Sequence, residues 1–305
     1  MEIQMSKVLA TFSGCNGDIL WSLPTVRQIS KIHNAKVDMG IMPAYKSLLP
    51  LLQLQPYICT AFVVEDWVCT GSPCGDQPWQ PPKRIEEHYE KVYHLTYRRH
   101  PYGNESLIDF IAWQQGLTLE EPVVPFISYG DVDISYVTNV SKGYIAYAFN
   151  ESYAPEKQQF MDLVKTEVGR HWTLSAFINL NKDSFVNTPI PWIDSAAIIK
   201  NALCFIGCKS ANYVLAHGVG QENIILYEPH PNRHSQGNFG QVFSNPHWKE
   251  TTTPINSTPE QAAKIVLEYI NQCLMNKEKE NENAQAIPRR ISRSAIDFDV
   301  ESGSF

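Results

Sequence analysis

The segment Lys7 to Pro24, KVLATFSGCNGDILWSLP, constrains the fold most. A short β-rich run, Val8 to Phe12, leads through a loop of small residues into a stretch with Ile19, Leu23, Val26 and Ile29 at helical spacing. A strand, a glycine-bearing loop and a helix in that order is the opening unit of a parallel α/β sheet. Ligands of such sheets gather at the carboxyl ends of the strands, where helix amino termini point into the crevice. Asp18 stands at that place in the sequence and is the first candidate for chemistry.

The same rhythm continues. Val37 to Met42, Ala61 to Val64 and Val92 to Leu95 read as strands, and Ala44 to Leu54 and Ser106 to Trp113 as helices. Between Asp66 and Arg84 the run WVCTGSPCGDQPWQPPK is dense in Pro and Gly and is expected to be a long loop. Pro122, Pro125 and the non-periodic stretch from Ser128 to Lys142 suggest a crossing between domains.

Alternation restarts with a strand at Tyr144 to Phe149 and a helix near Glu156 to Val168. A strand from Thr173 to Leu180, a helix from Ile193 to Asn201 and a strand from Leu203 to Ile206 follow. Next come a short helix after Ser210, a strand from Asn223 to Tyr227 and a last helix starting near Pro259. That helix has Thr258 as cap, Pro259 at its first position and Gln261 completing a capping box. Its apolar stripe is Ala262, Ile265, Val266, Tyr269, Ile270 and Cys273. From Asn276 onward the sequence is charged and lacks apolar periodicity, so a mobile tail is expected over 276–305. Two α/β units, 1–135 and 136–275, precede it.

Composition narrows the class. With 305 residues, 43% of them hydrophobic, the chain can bury a full core. A formal net charge of -7 argues against a general nucleic-acid binder. The seven cysteines have spacings that match neither a CxxC redox motif nor zinc knuckles, which suits reduced thiols. No apolar run is long enough to span a bilayer, and MEIQMSK lacks the regions of a signal peptide. A cytoplasmic address is expected, with peripheral contact to the inner face of a membrane left open.

Two small-residue loops carry the chemistry. In Ser13-Gly14-Cys15-Asn16-Gly17-Asp18 the glycines allow close backbone approach, and Asp18 is either a general base or only a helix cap. The loop lacks the GxGxxG of a nicotinamide dinucleotide fold, which weakens an oxidoreductase reading. In Phe205-Ile206-Gly207-Cys208-Lys209-Ser210-Ala211-Asn212 the backbone N–H groups at a helix start, together with Lys209, either bind a diphosphate or form an ordinary Ser-capped turn. Arg98 and Arg99, after the strand Val92 to Leu95, are candidates for gripping an acidic acceptor, against a solvated basic turn. His230 and His234 have the spacing of a helical metal pair, but Pro231 between them disfavours a helix and no third ligand is evident; a loop near the donor is preferred, with Arg233 a candidate phosphate contact.

The loops together resemble glycosyltransferase family 9, the ADP-heptose:lipopolysaccharide heptosyltransferases. The first signature is matched by Gly17-Asp18-Ile19-Leu20-Trp21-Ser22-Leu23-Pro24, and the second by Ile206-Gly207-Cys208-Lys209-Ser210-Ala211 followed by Val214-Leu215-Ala216. Ile224 to Pro229 is similar to the family's next strand and turn, and the Thr-Pro-Glu-Gln helix to its ending. Lys209, Ala211 and Val214 stand where the family has Asp, Gly and His. The family's basic donor-contacting residue has no match around Tyr153 to Lys157.

The resemblance implies a GT-B fold, two Rossmann-like doubly wound domains facing a cleft. It implies an inverting transfer from a nucleotide-diphosphate sugar to a saccharide or glycolipid, with no metal or other cofactor. Asp18 is then the catalytic base. Gly207, Lys209, Ser210, Ala211, Asn212, Glu228 and Arg233 are placed on the donor, and Asn16, Gly17, Arg98 and Arg99 on the acceptor. The departures also keep open a catalytically inactive binding relative. Oligomeric state and nucleotide base are not legible.

Overall fold

The computed structural model describes residues 7–67, 83–96, 107–120, 126–135, 143–149, 154–171, 176–181, 190–227, 251–252 and 257–286. A first sheet holds β1 (Val8–Phe12), β2 (Val37–Ile41), β3 (Ile58–Val63) and β4 (Lys91–Leu95), all parallel, in the order β3-β2-β1-β4. Right-handed connection of parallel strands needs crossovers. These are α1 (Asn16–His33), a 3-10 turn (Pro43–Leu48) running into α2 (Leu49–Gln53), and a segment ending in α3 (Lys83–Glu86); α4 (Leu107–Gln114) follows β4.

A second sheet holds β5 (Tyr144–Ala148), β6 (Ala176–Asn179), β7 (Cys204–Gly207), β8 (Ile224–Leu226) and β9 (Thr251–Thr252), in the order β6-β5-β7-β8-β9 and again parallel. Its helices are α5 (Ala154–His171), α6 (Trp192–Asn201), α7 (Ala211–Gly218) and α8 (Pro259–Ala286). The order reverses between β1 and β4 in one sheet and between β5 and β7 in the other. Those are the crevices at which such sheets take ligands.

Alternation along the strands sorts the core into layers. Ala10, Phe12, Met39 and Ile41 face a cluster that also takes in α1, α2, α4, α6, α7 and the Ala146 and Ala148 face of β5. One apolar layer therefore runs continuously from the first unit into the second. The other face of the second sheet is closed by Phe160, Val164 and Val168 of α5 against Val266, Ile270 and Cys273 of α8.

The segment after α4 stitches the units together. Phe126 and Ile127 both donate their N–H to the Gly218 carbonyl at the end of α7, at 2.8 and 2.9 Å. Gln55, after α2, holds Ser128 with a reciprocal pair: it accepts from the Ser128 N–H at 2.9 Å and donates to its carbonyl at 2.8 Å. Trp192 of α6 donates to the Ser47 hydroxyl at 3.3 Å.

Several elements differ from expectation. The helix expected over Ala44 to Leu54 is broken in two, because Tyr45 leaves helical geometry (φ -113°, ψ 17°) and Pro50 opens a new first turn. Strand β3 starts at Ile58, with a register shift at Asp38, whose buried carboxylate accepts from Thr60 N–H and Tyr89 O–H at 3.1 Å each. The mobile tail expected from Asn276 is corrected over its first part, since α8 runs on to Ala286. Lys, Glu, Gln and Ala propagate a helix once it is nucleated, even without an apolar stripe.

Candidate active site

The first loop leaves β1 and enters α1 through a capping box. Cys15 is the cap, its side chain taking an N–H of the first turn, and the Asp18 carboxylate Oδ2 accepts the Cys15 N–H at 2.8 Å. The cap reading of Asp18 is therefore correct as geometry. A cap and a chemical role are compatible in one side chain, because a carboxylate offers about four lone-pair sites. Asp18 is half-buried, and Cys15, exposed, accepts a 3.5 Å contact from the Tyr45 hydroxyl. A Cβ at Gly14 would collide with the Phe12 ring and with Asp18 itself, so glycine there is what lets the carboxylate fold back over the loop.

Across the junction, Gly207 closes β7 with no room for a side chain, since a Cβ would lie 2.8 Å from the Ala148 carbonyl oxygen. Cys208 is buried and Lys209 partly so. Ser210 is the cap residue of α7 in extended geometry (φ -149°, ψ -179°), yet its hydroxyl makes no cap hydrogen bond. The first N–H groups of a helix have no intrahelical acceptor. Nothing acidic lies in the first turn of α7, whereas the first turn of α1 carries Asp18. The positive end of α1 is offset by its own carboxylate, and that of α7 carries none.

The two helix ends meet. A Cβ on Gly17 would lie 3.4 Å from Ala211 Cα, and one turn deeper the Trp21 and Tyr213 ring centroids are 6.4 Å apart. Gly17, between Asn16 and Asp18, thus packs on Ala211, between Ser210 and Asn212. Three side-chain oxygens at this junction, Asn16 Oδ1, Ser210 Oγ and Asn212 Oδ1, are buried without a hydrogen-bond partner. The fit of Gly17 carries a prediction. A single added carbon at Gly17 would sit in ordinary van der Waals contact with Ala211, whereas Gly17→Val adds two methyl groups beyond it and should cost about 1–3 kcal/mol by overpacking. Chemical denaturation reads that loss, and Gly17→Ala should be close to neutral.

Strand β4 is pinned beside the loop by a chain of polar contacts. Thr11 Oγ1 lies 2.9 Å from His94 Nδ1, His94 Nε2 lies 3.1 Å from Glu86 Oε1, and Gln115 donates to the His94 carbonyl at 3.0 Å. The candidates Arg98 and Arg99, just beyond β4, lie outside the described residues, as do Glu228, His230, Arg233 and His234.

Sequence reasoning missed two residues at the carboxyl end of the second sheet. Lys157, in the first turn of α5, is only 3% exposed, and its Nζ sits 5.9 Å from the centroid of the Phe149 ring, just after β5. Tyr227, after β8, is fully buried and stacks on Phe160 at 4.1 Å, with its hydroxyl unpartnered. Burial, with added repulsion from Glu156 and Glu260, pushes its phenol up to about 12, so the hydroxyl stays a neutral donor. Both sit in aromatic-rich amphipathic segments, where a lysine reads as surface and a tyrosine as core. Among the described residues no group of three or more His, Cys, Asp or Glu side chains is placed to hold a metal ion.

Two all-parallel sheets with facing switch points, joined by a crossing segment, form the fold of the GT-B glycosyltransferases. Two solved structures match over nearly their whole length. Escherichia coli ADP-heptose LPS heptosyltransferase II is 14% identical, with a TM-score of 0.56 over 90% of this chain and 100% of its own. A glycosyl transferase family 9 protein of Veillonella parvula is 11% identical, with a TM-score of 0.58 over 90% and 99%. The iron-containing dodecameric glycosyltransferase TibC of enterotoxigenic E. coli is 12% identical, with a TM-score of 0.50 over 92% and 78%. At the sequence level no family profile and no curated protein matches the chain. The likeness is therefore one of fold, and it agrees with the resemblance in the two loop signatures.

Proposed function

We propose that this chain is a glycosyltransferase that moves a sugar from a nucleotide-diphosphate sugar to a saccharide or glycolipid acceptor with inversion and without a metal. The observation that carries this reading is the meeting of the Asp18 loop with the Ser210–Asn212 helix end, so close that a Cβ on Gly17 would lie 3.4 Å from Ala211 Cα. The acceptor O–H gives its proton to Asp18 as the oxygen bonds to the anomeric carbon. The bond from that carbon to the diphosphate oxygen breaks in the same displacement, and the leaving group keeps the electron pair. Negative charge then grows beside the N–H groups of Ala211 and Asn212 and beside Lys209, which stabilise it. Lys157 adds a second positive charge, and Arg98 and Arg99 hold the acceptor.

A second reading, a catalytically inactive nucleotide-sugar or glycan binder, is favoured by Lys209, Ala211 and Val214 in place of the family's Asp, Gly and His. One experiment separates the two. A nucleoside diphosphate at a hundred times its Kd should stabilise the protein by about 2.7 kcal/mol under either reading. Only the enzyme also releases nucleoside diphosphate from a nucleotide sugar when acceptor is supplied, and it should do so undiminished in EDTA. Stabilisation without release would leave the binding reading standing; release abolished by EDTA would remove metal independence.

A further inference from the structure

We infer that Asn16 and Asn212 read hydroxyl groups of the transferred sugar and so decide which nucleotide sugars the cleft accepts; this rests on the glycosyltransferase reading. The starting point is the set of buried, unpartnered oxygens at the junction of α1 and α7: Asn16 Oδ1, Asn212 Oδ1 and Ser210 Oγ. Burying a polar group with nothing to bond costs about 1–3 kcal/mol, so three such atoms in one place mark a site whose partner is a ligand.

The chemistry of these atoms identifies which part of the ligand they meet. A carboxamide oxygen only accepts, so each asparagine oxygen requires a donor. Phosphate oxygens ionised at neutral pH carry no proton to give and belong on the N–H groups and Lys209. A sugar hydroxyl donates and accepts, and suits two carboxamide oxygens with a serine hydroxyl beside them. The junction thus divides into an anion half and a polyol half.

Placement supports the division. Asn16 belongs to the first unit and Asn212 to the second, and they are the chain neighbours of Gly17 and Ala211, which pack so closely that a Cβ on Gly17 would lie 3.4 Å from Ala211 Cα. Only a ligand group that bridges the two units satisfies both asparagines. In a transfer between a donor on one unit and an acceptor on the other, the bridging group is the sugar being moved.

The test uses the whole chain and six probes: UDP-glucose, ADP-glucose, GDP-mannose and the matching diphosphates UDP, ADP and GDP. Calorimetric titration selects the pair that the parent binds. In Asn16→Leu and Asn212→Leu the diphosphate Kd should stay within about twofold, while the nucleotide-sugar Kd weakens about tenfold in each, the loss of one hydrogen bond with its desolvation. The melting temperature should hold or rise, because an unpaired buried oxygen has been removed. A merely structural role would lower it. A deoxy analogue of the bound sugar provides the same reading on the unmutated protein and should lose affinity by a similar factor.

Diphosphate and nucleotide sugar weakening together, or neither changing, overturns the inference while the glycosyltransferase reading stands. A parent protein that binds none of the six probes overturns both.

Discussion

Asp18→Asn is expected to cut nucleoside diphosphate release by about 10²–10⁴-fold, the contribution of a well-placed general base. The substitution separates the proposed base role from the cap that Asp18 forms. The amide oxygen of asparagine still accepts the Cys15 N–H that Asp18 Oδ2 holds at 2.8 Å, so the capping box and the loop persist. The negative charge and its basicity go. Stability should fall only by the lost attraction to the helix dipole, about 0.3–1 kcal/mol, and diphosphate affinity should match the parent, because the diphosphate is assigned to the opposite helix end. Asp18→Ala loses the cap as well and should cost about 1 kcal/mol in stability on top of the same loss of rate. Steady-state release assays with calorimetric binding check both variants. Full turnover in Asp18→Asn with the loop intact would reduce Asp18 to a structural cap.

How much of this was legible beforehand depends on the range of the interaction concerned. Strands β1, β2, β4, β5, β7 and β8 follow from local β-rich runs, and the start of α8 follows from Thr258, Pro259 and Gln261, whose capping box is formed at 3.0 and 3.3 Å. Loop positions followed too, because glycine at Gly14 and Gly17 and the turn before Ser210 punctuate the sequence. Charge alone misjudged the end of α8, since helix propagation beyond Asn276 needs no apolar face. The short elements α3 and β9 lack the length to show a period.

What no periodicity conveys is how the halves are apposed. That Gly17 faces Ala211, that Asn16 and Asn212 are left with buried unpaired oxygens, and that Lys157 is covered all depend on contacts far apart in the chain. The residues of the two signature loops pointed to their own sites separately, and that the loops face one another across a cleft was expected only from the family resemblance.

That proximity is maintained by Trp21, and Trp21→Ala is expected to be the most destabilising single change discussed here, at about 3–5 kcal/mol. Trp21 is 2% exposed, lies on the face of α1 that meets α7, and has its ring tilted 56° to that of Tyr213 at 6.4 Å. Such aromatic pairs add to the burial of area itself. The loss is a large fraction of the roughly 5–15 kcal/mol that holds a domain folded. Because one apolar cluster joins both units, the parent should unfold in urea as a single transition. Trp21→Ala opens a cavity at the joint, so the midpoint should fall and the transition should split as the units lose their coupling. Trp21→Phe keeps a ring in the gap and should recover part of the loss. Circular dichroism across a urea series gives both numbers, and a change below about 1 kcal/mol would mean that the joint is carried elsewhere, by Gly218 and the segment at Phe126 and Ile127 that bonds to it.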